Sequence, residues 1–265
     1  MHKISLLAVD LDGTLLTDNK RLAPKGASLL KEASDKGIRV IISTTRNLPS
    51  VREYASLLDI FEPVICTNGA QIYSSPAGVC WYEKKIPLSA AKTFARLADS
   101  NGWELSTTIG EMTYWRKRPG MGLGRLTEFR TVVKDNIDAM TADPLRILVT
   151  DPEAIRSLHK VCQEKYSETC RADIYENPDG SLHAMGIFHR DTSKGSALET
   201  VSSRLGIPVE ETLAIGDNYN DISMLTRAGI GVSMGNAPIK IKRIADYVAP
   251  TNEEEGVAWA VEKFI

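Results

Sequence analysis

The sequence predicts an α/β fold, a doubly wound parallel sheet interrupted by an inserted α+β domain. Three observations predict it. The first eighty residues alternate short continuous apolar runs with helical patterns, the same alternation returns after residue 193, and the texture between them changes. A continuous apolar run is what a strand buried on both faces requires. Alternation of such strands with helices is the signature of a parallel sheet covered on two sides.

The elements follow in order. Ile4–Val9 is the first buried run. Pro24 opens a helix that Gly37 closes, an N1 proline and a C′ glycine. Residues 38–42 form a second buried strand, 51–58 a helix and 64–66 a third strand, followed by the loop Thr67-Asn68-Gly69. Residues 63–82 carry no charge, but their Pro and Gly breakers and polar side chains suit a strand, turn and hairpin rather than a membrane helix. In the later stretch, a helix over 193–205 places Ala197, Leu198, Val201 and Leu205 on one face and stops at Gly206. Strand 212–215, a helix over 221–227 and strand 229–232 come next. A last helix is expected to open on Asn252 and Glu255 at capping-box spacing. The intervening segment, about Glu83 to Arg190, holds helices over 89–101 and from Pro152, with strands near 104–108, 112–115, 171–175 and 182–188. Its turn signal is Asn177-Pro178-Asp179-Gly180. The expected domains are therefore a discontinuous core, 1–82 with 191–265, and an insert over 83–190.

Composition narrows the classes without choosing a function. The chain has 265 residues, 43% apolar and 25% charged, with a formal charge of −2. That is ordinary for a globular protein and lacks the basic stripe of a nucleic-acid binder. Four cysteines without C-x-x-C spacing suggest neither zinc nor a redox dithiol. No N-x-[ST] sequon occurs, so a cytoplasmic setting is the default expectation. No membrane partner, no nucleic-acid partner and a monomer or homodimer are expected.

Two acidic clusters carry the chemistry. Asp10-Leu11-Asp12-Gly13-Thr14 follows the first buried strand, and ligands of open parallel sheets bind where strands end. Two acids at i and i+2 point the same way if the strand continues, and they repel unless a cation or proton compensates. The second cluster, Gly216-Asp217-Asn218-Tyr219-Asn220-Asp221, follows another buried strand. Four carboxylates at two strand ends suit a hard cation with oxygen ligands, most simply Mg²⁺. Taken singly, each cluster could instead be a loop or a helix cap.

Together with Ser43-Thr44-Thr45-Arg46, Asn68-Gly69-Ala70 and Ser193-Lys194-Gly195-Ser196-Ala197-Leu198, these residues resemble the haloacid dehalogenase-like phosphatases of the Cof type, with a C2B cap. The resemblance covers essentially the whole chain and implies a Rossmann-like core with a cap that selects substrate. It implies Asp10 as nucleophile and Asp12 as general acid and base, with Mg²⁺ held by Asp10, Asp12 (through its carbonyl) and Asp217. Leu11, Thr44, Thr45, Lys194 and Asn220 would bind phosphate, with Asp221 supporting them. On its own, Lys194 would be an ordinary solvated lysine. The family's usual Thr-Gly-Arg is here Thr44-Thr45-Arg46, which puts the local phosphate geometry in question, since glycine allows close approach or an unusual φ.

The basic, aromatic stretch Tyr114–Arg118 with Arg125 names Trp115, Arg116, Arg118 and Arg125 as candidate specificity residues, against the alternative of a solvated loop. Two further patterns are set aside. Gly231-Val232-Ser233-Met234-Gly235 has the form of a serine-hydrolase elbow, yet no histidine follows it. Gly122-Leu123-Gly124 lacks the third glycine of a dinucleotide fingerprint. The functional expectation is a Mg²⁺-dependent phosphatase of small phosphorylated metabolites, sugar phosphates first. Phosphorylated cofactors, a phosphomutase or a non-catalytic binding protein are the alternatives.

Overall fold

A computed structural model describes residues 3–60, 62–116, 129–177 and 179–265. The chain divides into two compact units, Met1–Glu83 with Ser193–Ile265, and Lys84–Thr192. In chain order the first unit begins with β1 (Leu6–Val9), α1 (Pro24–Asp35), β2 (Arg39–Ser43), α2 (Leu48–Leu57), β3 (Val64–Cys66), β4 (Gln71–Tyr73) and β5 (Cys80–Glu83). The second unit holds α3 (Leu88–Ser100), β6 (Ser106–Ile109), β7 (Met112–Arg116), β8 (Arg130–Val133), β9 (Arg146–Val149), α4 (Pro152–Tyr166), β10 (Cys170–Glu176) and β11 (Leu182–His189). The first resumes with α5 (Lys194–Leu205), β12 (Thr212–Gly216), α6 (Ile222–Leu225), β13 (Ile230–Ser233), α7 (Ile239–Ile244), β14 (Tyr247–Val248) and α8 (Gly256–Phe264).

The first sheet runs β14-β13-β12-β1-β2-β3-β4-β5. Its strands pair in parallel from β14 to β3, and β4 and β5 are added antiparallel. The apolar strands explain this placement. Leu7 and Val9 pack on one side with Val40, Ile42, Leu30 of α1 and Val257 and Val261 of α8. Leu6 and Ala8 pack on the other with Ile41, Ile65 and Ala197, Leu198 and Val201 of α5. With helices on both faces, the strand ends are left to carry the polar residues.

The second unit is a six-stranded sheet, β10-β11-β9-β6-β7-β8, with α3 and α4 on one face. Phe94 and Leu158 from those helices pack with Ile147, Val149, Met185 and Ile187 from the strands. β6 begins only at Ser106, because the Leu105 N–H donates to Asn136 Oδ1 (3.0 Å) instead of to a strand partner.

Two sequence expectations are corrected. The cap before the last helix is one residue earlier than Asn252–Glu255: Thr251 and Glu254 bond reciprocally, and Glu255 turns left-handed (φ 59°) before α8. A short 3-10 turn over Asn252–Glu254 shifts the register, freeing Glu255 to accept the N–H groups of Lys25 and Gly26 at the start of α1 (3.1 and 2.9 Å). The helix expected over 221–227 is a 3-10 turn, Tyr219–Asp221, followed by the single turn of α6. Among the described residues, no helix is long and apolar enough to cross a membrane.

Phe94 is fully buried and meets Tyr166 edge-on at 5.4 Å between ring centroids. Phe94→Ala is expected to cost about 3–5 kcal/mol of stability. Denaturant unfolding checks this, and a loss below about 1 kcal/mol would contradict the packing described.

Candidate active site

β1 ends at Val9, so Asp10 and Asp12 lie just past the strand, in the turn that follows. Asp10 is buried, and one of its oxygens accepts a 2.6 Å bond from Lys194 Nζ. The same ammonium donates to Asp221 Oδ1, also at 2.6 Å. Lys194 is the first residue of α5, whose N-cap is Ser193, and its side chain is completely buried. It is not the solvated lysine that its position in a helix would suggest.

Asp221 is fully committed. Its Oδ1 takes Lys194, and its Oδ2 accepts the N–H groups of Asp217 (3.0 Å) and Asn218 (2.9 Å). Those bonds fold the loop after β12 and aim Asp217 inward, where its Oδ1 accepts the Thr14 hydroxyl at 2.9 Å. Gly13 makes this possible: its φ is +81°, and a Cβ there would lie 2.4 Å from Asp217 Oδ2. Asp10, Asp217 and Asp221 each bring a carboxylate oxygen within 4.8 Å of the others, all buried. Asn220 lies in the 3-10 turn beside them.

The electrostatics follow from burial. Desolvation pushes the Asp10 carboxyl up to about 7, against the pull of Lys194 and with the help of Asp221's charge. Asp217 is raised as well, by burial first and then by Asp10 and Asp221. Burial disfavours the Lys194 ammonium, but the two carboxylates outweigh it and hold the charge. Three buried carboxylates around one ammonium are short of positive charge, and an oxygen-only donor set of this kind suits a hard divalent cation.

Asp12 stands apart from that cluster. Arg46 grips it through Nε and Nη2, both at 2.7 Å, and Lys20 Nζ adds a third contact at 2.9 Å. Burial would raise its pKa, yet these bonds overcome it and hold the carboxyl at about 2. Of the residues expected to bind phosphate, Thr44 is buried at the end of β2, where its hydroxyl accepts the Arg46 N–H (3.2 Å). Leu11 is buried, with its backbone N–H against the Asp10 carboxylate. Thr45 is not among the residues with positive φ, so a side chain is accommodated there without backbone strain where the family usually has glycine.

The candidate specificity residues separate. Trp115, on β7, carries the Arg130 guanidinium 6.0 Å from its ring centroid. Arg116 is instead turned to internal contacts, donating to the carbonyls of Lys134 (3.2 Å) and Trp103 (3.3 Å) and lying near Asp99 and Asp135. Arg118 and Arg125 lie outside the described residues. Ser233 is buried at the end of β13, and its hydroxyl donates to the Met234 carbonyl, with no histidine partner among the described residues, so it forms no nucleophile elbow.

The sequence gives no site role to Arg46, Lys20 or Asn236, and Asn252 reads there only as a helix cap. Arg46 sits inside a quoted motif, which was its signal. Asn236 donates to the Gly13 carbonyl (2.8 Å), while Asn252 donates to that of Leu16 (3.0 Å). They pin the Asp12 loop from 223 and 236 residues away, a distance no local pattern reveals.

A family model described as haloacid dehalogenase-like hydrolase matches residues 7–261. The chain belongs to that family. It is 32% identical over 99% of its length to a 5-amino-6-(5-phospho-D-ribitylamino)uracil phosphatase of Bacillus subtilis, covering 96% of that protein. A second B. subtilis protein, phosphatase YwpJ, is 30% identical, with 96% of this chain and 98% of the relative covered. A solved haloacid dehalogenase-like hydrolase from B. subtilis superposes with a TM-score of 0.85 at 29% identity, over 99% of this chain and 100% of that one. The chain is an enzyme, a phosphatase of this family.

The raised Asp10 pKa has a consequence for stability. Below about 4, its ordinary range, folding carries no penalty from this group; the advantage is lost as pH rises through about 7. The metal-free protein is thus expected to melt at a lower temperature at pH 8 than at pH 5, and Asp10→Asn to flatten that slope. Calorimetry in chelator checks it; identical slopes would contradict the electrostatic account.

Proposed function

We propose that the chain is a Mg²⁺-dependent phosphatase of small phosphorylated metabolites that works through an aspartyl-phosphate on Asp10. The observation that carries this reading is the buried Asp10–Lys194–Asp221 arrangement with Asp217 beside it. It fixes one carboxylate, supplies one positive charge and leaves the site short of another. Asp10 and Asp217, with the main-chain carbonyl of Asp12, would hold the cation. When bound, that ion neutralises the carboxylates and the approaching phosphate dianion.

In the first half-reaction an Asp10 oxygen forms a bond to phosphorus as the bond to the ester oxygen breaks, and Asp12 gives the departing alkoxide its proton. In the second, Asp12 takes a proton from the water that attacks phosphorus, releasing inorganic phosphate and restoring Asp10. Lys194 orients Asp10 and offers its charge to the transferring group. Thr44, Leu11, Thr45 and Asn220 are assigned to the phosphoryl oxygens. Asp12 carries no proton at neutral pH while Arg46 and Lys20 hold it near 2. Service as an acid therefore requires that ion pair to open.

Sugar phosphates are the leading substrate class. A second reading is a phosphorylated polyol bearing a planar ring. It is supported by the name of the 32%-identical relative.

Phosphate release over a panel of sugar phosphates, ribityl phosphates and phosphorylated cofactors, with Mg²⁺ or chelator, tests the reading. Release only with Mg²⁺, and fastest from one class, is expected; release unaffected by chelator would refute the metal assignment. Asp12→Ala should lower turnover about 10²–10⁴-fold while the protein stays folded. Wild-type rates in that variant would remove Asp12 from the mechanism.

A further inference from the structure

Beyond β3 the backbone does something that the assignments above do not use. Thr67, Asn68 and Gly69 are consecutive left-handed residues, with φ of 50°, 58° and 86°. All three are buried. A β-branched residue at positive φ is a genuine outlier, and such strain persists only where the surroundings over-determine it.

The surroundings are two parts of the candidate phosphate site. On one side, the Thr67 N–H donates to the Arg46 carbonyl (2.8 Å) and the Asn68 N–H to the Thr44 carbonyl (3.0 Å). The peptide carbonyls flanking Thr45 are thereby both pinned from the turn. On the other side, Gly69 lies against the start of α5, where a Cβ would stand 2.2 Å from the Ser193 carbonyl oxygen and 3.2 Å from the Lys194 nitrogen. That carbonyl accepts the Ala197 N–H (3.0 Å) and so belongs to the first turn of the helix presenting Lys194.

We infer that the left-handed turn Thr67–Gly69 is a positioning element that sets the Thr44–Arg46 loop and the first turn of α5 at a fixed spacing, bringing Thr44 and Lys194 to bear on one phosphoryl group. Gly69 is its critical residue, because only a residue without Cβ lets the turn and the helix meet. The turn touches no substrate itself; it acts through the residues on either side. The inference rests on the proposed phosphatase reading.

Gly69→Ala in the full chain is the test, with p-nitrophenyl phosphate as substrate and orthovanadate as a mimic of the transferring phosphoryl group. Displacing Lys194 from its station is expected to lower kcat on the order of 100-fold. KM should change far less, and vanadate affinity should weaken in step with kcat/KM while the melt stays cooperative. A structural role alone would lower the melting temperature and leave kcat and vanadate binding as in the wild type, and that result overturns the inference. Thr67→Gly keeps it falsifiable if the alanine variant does not fold. Glycine takes the left-handed conformation without strain, and the Thr67 hydroxyl has no hydrogen-bond partner among the described residues. A kcat within about threefold of wild type is expected for a backbone device. A large loss would place the hydroxyl itself in the reaction and overturn the positioning role. Absence of Mg²⁺-dependent turnover in the wild type would sink the phosphatase reading instead, and weaker inorganic-phosphate binding by Gly69→Ala would still report on the turn.

Discussion

The site depends on one buried ammonium. Lys194 Nζ lies 2.6 Å from both Asp10 and Asp221, with none of its side chain exposed. Burying such a group is tolerable only when it is paired and hydrogen-bonded, and removing one partner of a buried pair costs about 3–5 kcal/mol. The arrangement is therefore fixed as well as charged. Asp221 holds the loop after β12, that loop aims Asp217, and Lys194 ties both to the end of β1. Three segments distant in sequence converge because each is tethered to the same few atoms.

This convergence has a cost in charge balance. Three carboxylates share one cation, and burial pushes Asp10 and Asp217 toward their neutral forms. Such frustration in a metal-free protein is expected where charge is arranged for a ligand rather than for stability. Asp12 is treated in the opposite way. Its ion pairs keep it ionised and outside the cluster, so two carboxylates only two residues apart are prepared for different chemistry.

Much of this was legible in the sequence because it was local or periodic. The buried runs read at 4–9, 38–42, 64–66 and 212–215 became strands of one sheet, and the acidic clusters fell at strand ends. The details that failed were matters of register and distance. The spacing of Asn252 and Glu255 was right for a capping box, but Thr251 and Glu254 form it, since a 3-10 turn intervenes. Asp10 and Asp12 lie past the end of β1, where Asp10 joins the carboxylate cluster and Asp12 pairs with Arg46. A lysine at a helix start looks solvated until the strands bury it. The contacts of Asn236 and Asn252 with the Asp12 loop, and of Gly69 with Ser193, join residues more than a hundred positions apart. No spacing rule announces them. Arg116 shows the reverse limit, since a basic residue in a basic stretch turned to internal carbonyls.

The central claim is that Asp10 is the atom-bearing partner in phosphoryl transfer and that the other carboxylates serve it. Quenching turnover of an aryl phosphate in Mg²⁺ with borohydride, then mapping peptides by mass spectrometry, addresses it directly, because borohydride reduces an acyl phosphate to the alcohol. The account predicts homoserine in place of Asp10, with Asp12, Asp217 and Asp221 unchanged. Reduction at any of those three, or none anywhere while the intermediate accumulates, would contradict it.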